Sequence, residues 1–209
     1  MKWKLSKPLY VNIISADDRK FASQCTYIQN LVNSENGDDI LLNHVNSEYY
    51  DEKKFNSMKI DLPSSFGLFH ANIASLNLHI DDLKLILTRL NFKFDIIGIS
   101  EHKIPKDILP SSNISIPGYE EFVFEPTEIT HGGTGFYIKD VDYVTRKDLQ
   151  INSPGDFEST FIEIHFPNKK NLIVGSIYRH PSSEISIQDF TNRHLDPVLQ
   201  KILKINDVF

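Results

Sequence analysis

The chain has 209 residues, 40% apolar and 24% charged, with 22 basic against 28 acidic side chains and a net charge of −6. That is the composition of a soluble globular domain, with room for one full core and an appendage. The acidity excludes a freestanding electrostatic nucleic-acid clamp, whose affinity comes mainly from neutralised phosphates. It leaves room for a metal-dependent phosphoesterase, in which divalent cations supply the positive charge.

The first 65 residues read as a helical lead-in. Ser15 and Asp18 resemble a capping box, and Phe21, Ile28, Leu31 and Val32 recur at helical spacing, which predicts a helix over 17–33. A turn at 34–39, a short apolar helix near Ile40 to Val45 and a polar stretch containing Asp51, Glu52, Lys53 and Lys54 follow. None of these segments carries a chemical motif. Cys25, the single cysteine, excludes a disulfide framework and a cysteine-based zinc site. No apolar run approaches the ~18 residues of a membrane span, and the N-terminus lacks the apolar stretch of a secretory signal. The expected location is therefore intracellular, cytoplasmic or nuclear, with no membrane partner.

From Phe66 the pattern changes. FGLFHANI (66–73) and FDIIGIS (94–100) are continuous apolar runs of strand length, and such runs mark strands buried on both faces. Between them Ile80, Leu83, Leu87 and Leu90 share one helical face, behind the acidic start Asp81-Asp82. Strand, helix and strand make a βαβ unit with parallel strands. Further strands are predicted at 120–125, 134–139, near 143–149, at 159–166 and at 171–178, separated by turn signals such as Gly132-Gly133 and Pro154-Gly155. A last helix carries Phe190, Leu195, Val198, Leu199 and Ile202, and Pro197 should kink or restart it.

Three predicted strand ends carry chemistry, at the edge where open α/β sheets hold ligands. Asn72 ends the first strand. Glu101 follows the second, with Lys103 two places on. Tyr178 and Arg179 end the last. A carboxylate oxygen suits Mg²⁺, an amide and a phenol can orient a phosphate or a nucleophile, and a guanidinium forks onto phosphate oxygens. Singly, each has a plainer role, such as a turn cap, a first-turn acid or a half-buried aromatic. HGGTG (131–135) lacks the Lys-Ser/Thr of a phosphate loop and reads as a hairpin turn, from which His131 could reach the rim. The histidines, among them His70, His79, His165 and His194, show no metal-ligand spacing. Glu158 and Glu163, flanking and alternating outward along the strand STFIEIHF, read as solvent-facing.

Taken together, FGLFHANIASLN, FDIIGISEHK, GGTGFYI and LIVGSIYRHP resemble the endonuclease/exonuclease/phosphatase (DNase I-like) family. The likeness is to the apurinic-type endonuclease domains of non-LTR retrotransposon reverse-transcriptase polyproteins, over residues 66–209. The resemblance implies a four-layer α/β sandwich of two mixed β-sheets flanked by helices, Mg²⁺-dependent phosphodiester cleavage, and DNA as partner. It further implies that Asn72, Glu101 and Tyr178 are catalytic, that Glu101 and Asn72 hold the metal, and that Lys103 and Arg179 bind substrate.

Two family motifs are absent from the sequence: Gly-Asp-x-Asn, which positions the water, and the terminal Ser-Asp-His. GDFEST (155–160) imitates the first but precedes the tyrosine motif. The expectation is a C-terminally incomplete domain, the first half to two-thirds of the enzyme. Such a fragment should bind Mg²⁺ weakly or not at all, cleave slowly or not at all, and self-associate through an uncovered sheet. The alternative is a non-catalytic protein- or nucleic-acid-interaction module derived from such a domain.

Overall fold

A computed structural model describes residues 10–15, 52–57, 65–107, 114–120, 122–127, 131–167 and 170–206. The helices expected over 17–33 and near Ile40 to Val45 lie outside them. Two described elements precede residue 65: a strand β1 (Tyr10–Ser15) and a short helix α1 (Glu52–Ser57). Then come β2 (Ser65–Asn72), α2 (Leu76–Arg89), β3 (Ile96–Ser100), β4 (Val123–Phe124) and β5 (Thr134–Ile138). After these come β6 (Tyr143–Thr145), a 3₁₀ turn (Lys147–Leu149), β7 (Phe157–Ile164) and β8 (Leu172–Arg179). The last helical segment runs through α3 (Ile187–Phe190), a π-turn (Thr191–Leu195) and α4 (Asp196–Asn206).

Two sheets result. The first has the order β1-β2-β3-β5-β4, with β2 and β3 parallel and the other pairs antiparallel. The second, β6-β7-β8, is wholly antiparallel rather than mixed as expected. The parallel β2–α2–β3 unit is the predicted one. Its helix begins at Leu76, though, so Asp81 and Asp82 fall beyond the first turn. The lead-in is not purely helical, because β1 pairs antiparallel with β2, Tyr10 opposite His70. The strand predicted over 143–149 is only three residues long and gives way to the 3₁₀ turn.

Period-2 alternation divides β2, β3, β5, β7 and β8 between two cores each. On the outer face of the mixed sheet Phe69, Ile97, Ile99 and Tyr137 pack against Leu76, Ile80 and Leu83 of α2 and against Phe55 of α1. Phe92 and Phe94 lie in the same cluster, with ring centroids 4.8 Å apart. Between the sheets Ile96, Phe136 and Ile138 meet Ile162, Ile164 and Val174. Beyond the second sheet Leu149 and Phe161 are covered by Val198, with Ile202 and Ile205 beside them. Each such side chain fully withdrawn from water contributes about 1.5–3 kcal/mol before entropy is counted. Three cores between helix, sheet, sheet and helix make the expected four-layer α/β sandwich.

The middle core changes character along its length. Its far end is aliphatic, but toward the carboxyl ends of β3 and β8 it turns polar, with Ser100, Thr134, Thr160 and Ser176 all buried. The Thr134 and Thr160 hydroxyls meet at 2.9 Å across the two sheets, and Thr160 also donates to the Thr134 carbonyl. Buried hydroxyls of this kind need partners, and here the facing sheet supplies them. The sheets therefore open onto a polar rim.

Candidate active site

At this rim the backbone after β3 leaves the sheet abruptly. Glu101 and Lys103 have φ of 57° and 54°, left-handed values that few side-chain-bearing residues adopt. Neighbouring backbone groups stitch the segment in place: His102 N–H donates to the Gly133 carbonyl (3.4 Å) and Lys103 N–H to that of Gly132 (2.9 Å). Ile73 N–H donates to Ser100 O and Leu76 N–H to His102 O, tying the segment to the end of β2 and the start of α2.

The turn projects the Glu101 side chain, 16% exposed, into the polar rim. Its Oε1 accepts the Asn72 amide Nδ2–H at 2.8 Å and the Tyr178 hydroxyl at 2.7 Å. Lys103 Nζ lies 4.0 Å from Oε2. Residues 72, 101, 103 and 178 are thus brought together, as the sequence motifs require. Burial raises the pKa of the Tyr178 phenol, and the hydrogen bond to Glu101, its charge and that of Glu158 raise it further. The phenol therefore stays protonated and acts as a donor.

Asn72 has a different partner from the one expected of a metal ligand. Its amide nitrogen faces Glu101, while its Oδ1 accepts the Ala74 N–H at 3.2 Å. Both partners demand that orientation, since a carboxylate needs a donor and a backbone N–H needs an acceptor. In this arrangement Asn72 orients Glu101 through its amide N–H. Arg179 is not brought to the rim at all. It pairs with Phe157 in register, on the face of β8 opposite Tyr178, and its guanidinium donates to the carbonyls of Ile185 and His180. In that position it ties down the loop after β8.

Two residues given no role from the sequence, Glu158 and His180, line the same rim. Glu158, expected to face solvent, stands opposite Tyr178 on the inward face of β7 with its side chain 14% exposed. Strand β7 begins at Phe157, two residues before the predicted start, so alternation carries Glu158 inward with Thr160 and Ile162. Its Oε2 accepts the Gly133 N–H at 2.6 Å and lies 3.3 Å from His180 Nε2. The buried His180 ring also stands edge-on to Tyr178, with centroids 4.9 Å apart. Glu163 alternates to the other face of β7, but it does not face solvent as expected either: its side chain is 13% exposed and bonds Arg146 and Asn171.

His102 is fully buried, edge-on to Phe122 and Phe124, with Nδ1 accepting the Ile104 N–H at 3.0 Å. Burial pushes its pKa down to about 4, so the ring is neutral and structural. Glycine at 132 and 133 is what allows this packing. A Cβ on Gly132 would lie 2.7 Å from His180 Nε2, one on Gly133 would lie 2.7 Å from His102 Cδ2, and both residues have positive φ. His131, at the head of the turn, is exposed.

The donor set bears on Mg²⁺. Among the described residues no group of three His, Cys, Asp or Glu could hold a metal ion. One hard carboxylate held rigidly by neutral donors, with an ammonium nearby, does not make a cage. It fits the kind of Mg²⁺ site in which one or two carboxylates and substrate phosphate share the ion with water. Glu101 is the residue that would hold it.

No protein-family model matches the chain, and no curated protein matches it. Among solved structures the chain is similar to the crystal structure of AP endonuclease LMAP from Leishmania major, at 17% sequence identity and a TM-score of 0.49. The match covers 66% of this chain and 47% of that one, so this chain spans about half of that protein's length.

Proposed function

We propose that the Glu101 rim is the metal- and phosphate-binding part of a Mg²⁺-dependent phosphodiesterase domain that acts on DNA, of the endonuclease kind carried by non-LTR retrotransposon polyproteins. The observation that carries this is the Glu101 carboxylate, held at 2.8 Å by Asn72 and 2.7 Å by Tyr178 at the carboxyl ends of three strands. DNA and the retrotransposon context rest on the resemblance of the four sequence motifs. Glu101 would hold the cation, which when bound supplies charge stabilisation at a phosphoryl oxygen. Asn72 and Tyr178 fix the carboxylate, so that no reorganisation is needed when a ligand arrives. Lys103 offers a mobile ammonium to a phosphate. The sequence contains neither Gly-Asp-x-Asn nor Ser-Asp-His. The 209 residues alone are therefore proposed to bind better than they cleave, because groups that act as a unit lose far more than their share when separated.

The test is Mn²⁺ binding by electron paramagnetic resonance, with supercoiled-plasmid nicking in Mg²⁺ as a parallel readout, on the chain and on Glu101→Gln. The expected result is weak Mn²⁺ binding that Glu101→Gln abolishes, with nicking near background in both. Absence of metal binding, or binding indifferent to Glu101→Gln, would overturn the reading in favour of a non-catalytic interaction module.

A further inference from the structure

The left-handed backbone at Glu101 and Lys103 raises the question of what holds it. Such conformations persist in residues with side chains only where the surroundings over-determine them. Here the restraint comes from the Gly132–Gly133 turn, whose two carbonyls accept the N–H groups of Lys103 and His102. A glycine pair is itself the most pliable stretch of backbone available, so the turn must be fixed by something else. The Glu158 carboxylate is placed to fix it, for it accepts the Gly133 N–H at 2.6 Å, with His180 Nε2 3.3 Å from the same oxygen. A largely buried carboxylate is a poor choice for stability, because well-packed apolar groups usually serve as well or better. It is a good choice for placing one N–H, since bonds to an ionised acceptor are short and roughly twice as strong as neutral ones.

We propose that Glu158 is a positioning residue: its carboxylate pins the Gly132–Gly133 turn, and the turn's carbonyls hold the left-handed backbone that aims Glu101 into the rim. The inference rests on the phosphodiesterase reading for its purpose, but its geometry can be tested independently. Glu158 also stands opposite Tyr178 in the β7–β8 register, so one residue sits behind both the backbone that carries Glu101 and the strand that carries its phenol donor.

The test compares Glu158→Ala and Glu158→Gln in the full chain, with Glu163→Gln as a control on the other face of β7. Amide signals of His102, Lys103 and Gly133 are followed by ¹H–¹⁵N correlation, and Mn²⁺ affinity is measured on the same samples. Glu158→Ala should move all three signals and weaken Mn²⁺ about tenfold or more, the usual scale for losing a group that orients a metal ligand. Glu158→Gln keeps an oxygen that can accept the Gly133 N–H, so its signals and affinity should fall between those of Glu158→Ala and the parent. Glu163→Gln should leave the three signals in place. If the Glu158 variants lower the melting temperature while the His102 and Lys103 signals stay at their parent positions, the residue is merely structural and the proposal falls. Should Glu158→Ala not fold, Glu158→Gln alone decides, and unmoved Gly133 and Lys103 signals overturn the proposal. A parent chain that binds no Mn²⁺ defeats the phosphodiesterase reading, while the amide signals still report on the pinning.

Discussion

Two acidic clusters in this molecule use their carboxylates in opposite ways. On the outer face of the second sheet Arg146 forks onto Asp148 and also bonds Glu163, while Lys201 reaches Asp148 at 3.0 Å and Asn171 donates to Glu163. At the rim Glu101 accepts bonds from an amide and a phenol, and its ammonium neighbour stands 4.0 Å away. The first arrangement spends the negative charge on guanidinium and ammonium partners and ties β6, β7 and the final helix together. The second orients a carboxylate with two neutral donors and leaves its ammonium partner at the edge of ion-pair range. Paired acids are architecture; an acid held by neutral donors is a candidate ligand.

The contrast can be broken from either side. The largest effect is expected at Gly133→Ala, which places a Cβ against the His102 ring at a φ of 92°. Left-handed strain and overpacking together should cost about 3 kcal/mol or more in a urea or thermal melt. A loss under about 1 kcal/mol would show that the turn can shift, and that the rim is not rigidly set.

Next is Arg146→Met, which strips Glu163 of a charged partner and should cost about 2 kcal/mol at neutral pH. Most of this comes from Glu163, because Asp148 is half exposed and screened. Hydrogen bonds from Arg146, opposed by a smaller desolvation and helped by Lys201, hold Asp148 well below the usual carboxylate range. Glu163 is raised by burial but lowered more by its bonds to Asn171 and Arg146, and ends below its ordinary value. Depressed carboxylates contribute stability above their unfolded pKa, near 4, and lose it as pH falls below that. The parent should therefore lose stability on acidification below about pH 4, and Arg146→Met should lose less over the same range. Parallel acid profiles would refute the cluster's architectural role.

The smallest effect is assigned to Lys103→Met. Stability should change by no more than about 0.5 kcal/mol, since a partly exposed ion pair at this distance contributes little. If the ammonium serves phosphate, the salt dependence of DNA binding should lose about one unit of slope. An unchanged slope would remove Lys103 from the binding surface.

Much of this was legible along the chain because local pattern and burial agree. The continuous apolar run of β3 is buried on both faces, that of β2 fully on one face and partly on the other, and the strand ends at Asn72, Glu101 and Tyr178 converge. The features that stayed hidden depended on partners distant in sequence or on a register offset. The strand at Tyr10–Ser15 is defined by pairing with Ser65–His70, far along the chain, and has little signature of its own. Starting β7 at Ser159 rather than Phe157 left Glu158 as a flanking residue, when strand alternation from the true start turns it inward. The same alternation argues against Arg179 at the rim: adjacent residues of one strand point to opposite faces, so Tyr178 and Arg179 cannot both face Glu101. The π-turn ahead of Pro197 has no single-residue signal beyond the nearby proline.

That π-turn has a geometric effect on the final helix. Phe190 and Val198 are both buried, the first 5.0 Å from Phe157 between ring centroids and the second in the cluster with Leu149 and Phe161. They are eight positions apart, and at about 100° per residue an unbroken α-helix would set them about 80° out of phase. The Asp196 N–H reaches back five residues to the Thr191 carbonyl, so the wide turn takes up one residue without rotating the helix beyond it. Phe190 and Val198 then behave as a pair about 20° apart, like residues seven positions apart in an ordinary helix. The widened turn works as a phase corrector, absorbing one residue of length while both ends keep the same face against the sheet.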